Sequence, residues 1–316
     1  MDDEPGSFLI DGVVPVAVTD RSGFDESLHH GAVVVLDVDG GLAYSAGDPD
    51  LPIYGRSSNK PLQADAMVRL GVEVDDEQLA LACASHDGTE HHLAVVRRIL
   101  ASAGLGEEAL SNTPSMPLEP EAAERVLLAG GHRSSVLMNC SGKHATMLAT
   151  CVQRGWPTEG YLDPEHPLQV AITTHIAELA GPIVHIGIDG CGAPAHVLTL
   201  RSLAAGFRSL AMERGRVWRA MTRHPELVAG ERRTATRVMR SIPGAMAKDG
   251  AQGVFAIALP DGRACALKIA DGQERPVAVV LAAALATVGV DLDGPALSDP
   301  IEGHGRPVGS VRSVLG

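Results

Sequence analysis

Hydrophobic residues follow two rhythms along this chain. Near the N-terminus they come in short β-branched runs. Residues 13–18 and 32–38 each read as a strand, and Asp39-Gly40-Gly41 before residues 42–45 reads as a hairpin turn. Residues 47–54, rich in Asp, Pro and Gly, read as a loop. The rhythm then changes to the period of a helix. Leu62, Ala66, Met67 and Leu70 recur at that spacing over residues 59–70, and Gly71 stops the pattern. Further helices are predicted over 91–103, 120–128, 167–179, 216–221 and 232–239. A buried strand over 183–188 runs into Asp189-Gly190-Cys191-Gly192. Strands return over 253–259 and 264–269 around the turn Pro260-Asp261-Gly262, and a last helix covers 276–288. This order predicts one α+β domain over residues 1–316. Its helical middle, about 91–245, packs on an antiparallel sheet built from both chain ends.

Composition narrows the picture. With 45% hydrophobic residues in 316 the chain can bury a large core, and with 3% aromatic residues that core must be mostly Ala, Val, Leu and Ile. Charged residues make up 21% without a long like-charged run, so disorder is expected only for residues 1–7 and for the Gly/Pro-rich tail after Asp299. A net charge of −13 argues against a nucleic-acid partner. There is no secretory pattern, and the longest apolar run, 277–290, is too short to span a bilayer. A soluble cytoplasmic protein with no membrane contact is expected. Five cysteines without a signal segment do not suggest a disulfide framework.

The cations are more informative. Only Lys60, Lys143, Lys248 and Lys268 stand among the 26 Lys and Arg residues. Lysine can lose its proton when desolvated, whereas arginine cannot, so these four are candidates for amine chemistry. In Arg56-Ser57-Ser58-Asn59-Lys60, Ser57 and Lys60 are three apart where a loop enters a helix. There a neutral amine can take the serine proton and leave a nucleophile, as in the Ser-x-x-Lys enzymes. The same residues also fit an N-cap serine beside an exposed lysine. Ser85-His86 sits where an apolar run meets a turn. Asn139-Cys140-Ser141-Gly142-Lys143-His144 gathers reactive side chains around one glycine. Cys140 and Cys191 with a nitrogen ligand suit zinc, and they equally fit two buried thiols. Lys268, midway along a predicted strand, either faces solvent or enters a site.

Together these segments resemble the L-asparaginase II proteins of the Rhizobium type over nearly the whole chain. The resemblance also rests on His166-Pro167-Leu168-Gln169, Gly187-Ile188-Asp189-Gly190-Cys191-Gly192-Ala193-Pro194, His224-Pro225-Glu226, Val228-Ala229-Gly230, Lys248-Asp249-Gly250-Ala251 and Ala266-Leu267-Lys268-Ile269. It implies an αβα sandwich resembling serine β-lactamases and glutaminases, with an antiparallel sheet and helices. It also implies a homodimer with two serine–lysine tandems, Ser57 with Lys60 and Ser85 with Lys268. Either tandem can supply the primary nucleophile. A zinc ion, one per chain, is implied at Cys140, Lys143 and Cys191, orienting substrate rather than generating the nucleophile. The implied activity is that of an L-asparaginase, releasing ammonia and aspartate from L-asparagine. Asp189 is a partner for the substrate ammonium, and Arg56 or His144 for its carboxylate. Met138, Thr146, Ala235 and Gln252 depart from the family pattern and bear on affinity. The rival readings are a glutaminase or β-lactam-reactive acyl hydrolase on the same scaffold, and a zinc-dependent binding protein without catalysis.

Overall fold

The structure, a computed structural model, describes residues 11–294 and 297–315. The disorder expected of residues 1–7 therefore lies outside the described residues. The N-terminal strands are β1 (Val14–Arg21), β2 (Phe24–Leu36), β3 (Leu42–Ala46) and β4 (Pro52–Tyr54). A 3₁₀ turn, Arg56–Asn59, leads into helix Lys60–Arg69. Helices Asp76–Ala82, Glu90–Ser102, Pro120–Leu128, Ser141–Arg154 and Pro167–Ala180 follow. Next come β5 (His185–Ile188), β6 (Pro194–Thr199) and four helices, Leu200–Glu213, Arg216–Arg223, Pro225–Val228 and Thr234–Ser241. The chain returns through β7 (Met246–Gly250), β8 (Val254–Ala258), β9 (Ala264–Ile269) and helix Val277–Ala286. It ends in β10 (Ile301–Gly303), β11 (Arg306–Gly309) and β12 (Val311–Ser313).

The main sheet has the order β12-β1-β2-β9-β8-β7, with β3 on β2, and every pairing in it is antiparallel. Both chain ends thus contribute to one sheet, as expected. Strands β8 and β9 are buried at every position, so both faces of the sheet are covered. Helix Leu200–Glu213 packs on β2, β8 and β9, while helix Val277–Ala286 packs on β1, β2, β9 and β12. The tail after Asp299 is ordered, contrary to expectation. Val311 buries its side chain and pairs with Thr19 of β1, and Arg312 forms an ion pair with Asp25 at 2.8 Å. The Gly/Pro content of that tail serves turns, not disorder.

Helix Ser141–Arg154 is the centre of the helical layer, touching helices Lys60–Arg69, Asp76–Ala82, Glu90–Ser102 and Pro167–Ala180. Residues 141–151 are all buried despite Ser, Lys, His and Thr among them. Thr146 and Thr150 satisfy their hydroxyls by donating back to the carbonyls of Gly142 (2.9 Å) and Thr146 (2.7 Å). Gly142 makes the packing possible, since a Cβ there would sit 2.5 Å from the Leu81 carbonyl oxygen. The start of this helix is therefore pressed against the segment that leads into Ser85.

Candidate active site

Three segments meet at the Lys60 amine. Ser57 lies in the 3₁₀ turn and Lys60 caps its end, three residues on. Arg56, the first residue of the turn, has φ +49°, a left-handed conformation that a non-glycine residue seldom adopts and that is often found at functional sites. Edge strand β7 packs against this turn. Gly250 allows the approach, because a Cβ there would lie 2.9 Å from the Gly55 carbonyl oxygen and from Ser58 Oγ. Ser58 in turn donates to the Lys248 carbonyl at 3.1 Å.

Lys60 is buried, and its Nζ donates to the Ala84 carbonyl (2.5 Å), to Ser85 Oγ (3.1 Å) and to Cys140 Sγ (3.0 Å). The Ser57 hydroxyl is half-buried and makes no hydrogen bond among the described residues. Lys60 thus bonds one candidate serine, Ser85, and follows the other, Ser57, by three residues across the end of the turn. The expected bond between Ser85 and Lys268 is not formed. Lys268 Nζ donates instead to the carbonyls of Gln252 and Ile269, each at 2.6 Å.

The amine that sequence reasoning left without a role is Lys248. It is fully buried on β7, and burial lowers its pKa to about 8, with the nearby charge of Lys60 acting in the same direction. Its Nζ donates to Asp249 Oδ1 at 2.6 Å. A signal was present in the sequence, because Ser-x-x-Lys enzymes carry a Lys-Thr-Gly triplet and Lys248-Asp249-Gly250 has the same pattern with Asp in the middle.

Cys140, Lys143 and Cys191 converge behind Lys60. Lys143 Nζ donates to Cys191 Sγ at 3.4 Å. A hydrogen bond from Cys191 holds Cys140 well below the usual thiol range despite its burial, aided by the ammoniums of Lys60 and Lys143. Burial opposes the charge of Lys143, but negative charge at the Cys191 and Cys140 sulfurs, with the Asp189 carboxylate, outweighs it and raises its pKa. Among the described residues no group of three or more His, Cys, Asp and Glu side chains is arranged to hold a metal. This trio has two such members and an amine. Its chemistry still fits a soft divalent ion, and the buried His144 Nε2 beside Cys191 lacks a hydrogen-bond partner.

Arg56 and Asp189 face one another, with both Nε and Nη2 of the guanidinium 2.9 Å from Asp189 Oδ1. Burial would raise the pKa of Asp189, but Lys143 and Arg56 lower it on balance. His144 is placed differently. Burial, with Lys143 nearby, pushes its pKa down to about 4, and its Nδ1 is hydrogen-bonded with the Tyr161 hydroxyl at 3.0 Å. A neutral, enclosed imidazole is a poor cation for a carboxylate, whereas Arg56 keeps its guanidinium at the surface of the site.

Among the described residues no helix is long and apolar enough to cross a membrane. The chain has distant likenesses to several solved structures. A β-lactamase from Mycobacterium bovis shares 15% identity over 77% of this chain and 88% of its own, with a TM-score of 0.38. EstCE1, a hydrolase with promiscuous acyltransferase activity, shares 12% identity over 84% of this chain and 91% of its own, with a TM-score of 0.36. None of the curated proteins compared matches the chain. The family described as L-asparaginase II matches residues 17–313, which contain every residue of the site above, and the chain belongs to that family.

Proposed function

We propose that this hydrolase converts L-asparagine to L-aspartate and ammonia through an acyl-enzyme. Family membership supports amide hydrolysis. The observation that carries the substrate is the Arg56–Asp189 pair beside the serine–lysine centre. An amino-acid zwitterion presents the same two charges in exchange, its ammonium to Asp189 and its carboxylate to Arg56. Ser57 Oγ attacks the side-chain carbonyl carbon, and its proton passes to the Lys60 amine, which must first give up its own proton, with Ser85 Oγ at hand to receive it. The C–N bond then breaks, the proton goes to the leaving nitrogen, and ammonia departs from a Ser57 ester. Water attacks that ester, returns a proton to Ser57 and releases aspartate. Ser85, bonded to Lys60, relays protons, and Lys248 is the second buried amine of the centre.

The test is ammonia release by purified protein from asparagine, with glutamine and a β-lactam alongside. Asparagine is expected to be turned over best. Preferred turnover of either other substrate reassigns the reaction, and no turnover of any leaves a binding protein.

Zinc would be held by Cys140, Lys143 and Cys191. When bound it supplies positive charge that steadies the substrate. It is no source of nucleophile, because the serines already provide one. One equivalent of zinc per chain is expected by elemental analysis of protein purified without chelator. Cys140→Ser and Cys191→Ser are each expected to lower that content and to raise KM more than they lower kcat. Active protein without metal, with kinetics unchanged by chelator, would leave the cysteines as structural thiols.

A further inference from the structure

A chain of alternating charges connects the Ser85 loop to edge strand β7. Asp249 Oδ1 accepts from Lys248 Nζ at 2.6 Å, and Asp249 Oδ2 accepts from Arg233 Nη2 at 2.5 Å. Arg233 Nη1 lies 3.7 Å from Asp87 Oδ1. Asp87 follows Ser85 by two residues, and both are pinned to the segment that leads to Arg233. Ser85 N–H donates to the Val228 carbonyl at 3.0 Å and Asp87 N–H to the Ala229 carbonyl at 2.9 Å. Gly230 leaves no room for a Cβ against the Asp87 carboxylate. The four side chains run from 0% exposed at Lys248 to 26% at Arg233, so water screens them poorly.

Buried ion pairs contribute little net stability, because desolvation offsets attraction. They do fix geometry, since moving one member leaves another charge unpaired. Resting on the reading that Lys248 belongs to the reactive centre, we propose that Arg233 is a positioning residue. It locks Asp249 of β7 to Asp87 of the Ser85 loop and so sets the direction of the Lys248 amine.

The groups around Lys248 give this a measurable sign. Burial, aided by the charges of Lys60 and Arg233 and opposed by Asp249, lowers its pKa to about 8. The neighbouring Cys83 thiol, pushed up by burial, stays uncharged. Removing Arg233 deletes a like charge and leaves Asp249 to attract Lys248 alone. Both changes raise the pKa of Lys248. Asp87, already lifted to about 6 by burial, also loses the cation that favours its ionised form.

With only four lysines, isotope labelling of lysine side chains gives at most four signals to follow in the full-length protein. In Arg233→Met the Lys248 titration is expected to move up by about one pH unit. Arg233→Lys keeps the charge without the fork and is expected to move it less. On asparagine, Arg233→Met is expected to lose about 10- to 100-fold in kcat with KM little changed. Its rising pH limb should move with the Lys248 midpoint. Guanidinium ion should restore part of the kcat of Arg233→Ala. It has a way in, since Arg233 lines a cavity of about 460 Å³ with Arg232, Thr234, Arg237 and Arg275. An unmoved Lys248 titration in Arg233→Met overturns the proposal, as does an unchanged kcat with a raised KM, which would make Arg233 a substrate contact. If Arg233→Met does not fold, an unmoved titration in Arg233→Lys with full kcat overturns it equally. Should the wild type prove inactive on asparagine, the functional reading fails while the titration still decides this one.

Discussion

Ser57→Ala is expected to abolish ammonia release from asparagine, with a loss in kcat on the order of 10⁴- to 10⁶-fold, because the group that forms the acyl bond is removed. The fold should not change. Ser57 Oγ makes no hydrogen bond among the described residues, and the turn is held by its neighbours, with Ser58 bonded to β7 and Asn59 to the His196 carbonyl at 3.1 Å. Ser85→Ala removes a hydroxyl already committed to Lys60, and a smaller loss is expected, on the order of 10²- to 10³-fold. Trapping the ester by mass spectrometry after mixing with substrate locates the nucleophile directly. A modified peptide containing Ser85, with activity retained in Ser57→Ala, reverses the assignment. Full activity in both variants removes the serine–lysine mechanism altogether.

Lys60→Met should be nearly as damaging, with kcat falling on the order of 10²- to 10⁴-fold. Methionine matches the stem of lysine but neither accepts a proton nor bonds Ser85 and Cys140. Lys60→Arg separates two explanations. It keeps a cation beside Cys140, yet guanidinium cannot act as a base. If the position supplies proton transfer, both variants lose comparable activity. If it supplies only charge, Lys60→Arg stays active, and steady-state kinetics on the two proteins tells them apart. Thermal melts of both are the control, since Lys60 is buried and arginine is larger.

What could be read from the chain alone divides along physical lines. Helix Lys60–Arg69 was visible because its apolar positions are periodic and Gly71 ends it. The hairpin of β8 and β9 was visible because its turn residues are diagnostic. Helix Leu200–Glu213 escaped, although Leu200, Leu203, Ala204, Phe207, Leu210 and Ala211 form its buried side. Gly206 interrupts that pattern, and its place is explained only by Leu62 and Ala180 packing against it. Helix Ser141–Arg154 read as a cluster of reactive residues, since nothing local says that its threonines bond backwards and allow burial. The site divides in the same way. Residue types were legible, but which amine meets which serine was not. Period-2 alternation does not say which face of a strand Lys248 or Lys268 uses, and the bond from Lys60 to Ser85 depends on how three segments pack.

All four lysines are buried, at 2% exposure for Lys60 and Lys143, 0% for Lys248 and 9% for Lys268. Among Lys and Arg, the cations exposed at the surface of the described residues are therefore guanidiniums. Reagents that acylate amines, cross-linkers built on active esters and aldehyde supports need an accessible primary amine. On the folded protein they find almost none among lysine side chains, and even Lys248, with a fraction neutral near pH 8, is shielded from them. Opening the core changes that at once. A fluorogenic amine label added during denaturation would therefore report on unfolding through the lysines, and attachment chemistry aimed at side chains of the folded protein is better directed at its exposed carboxylates or at residues added to the chain.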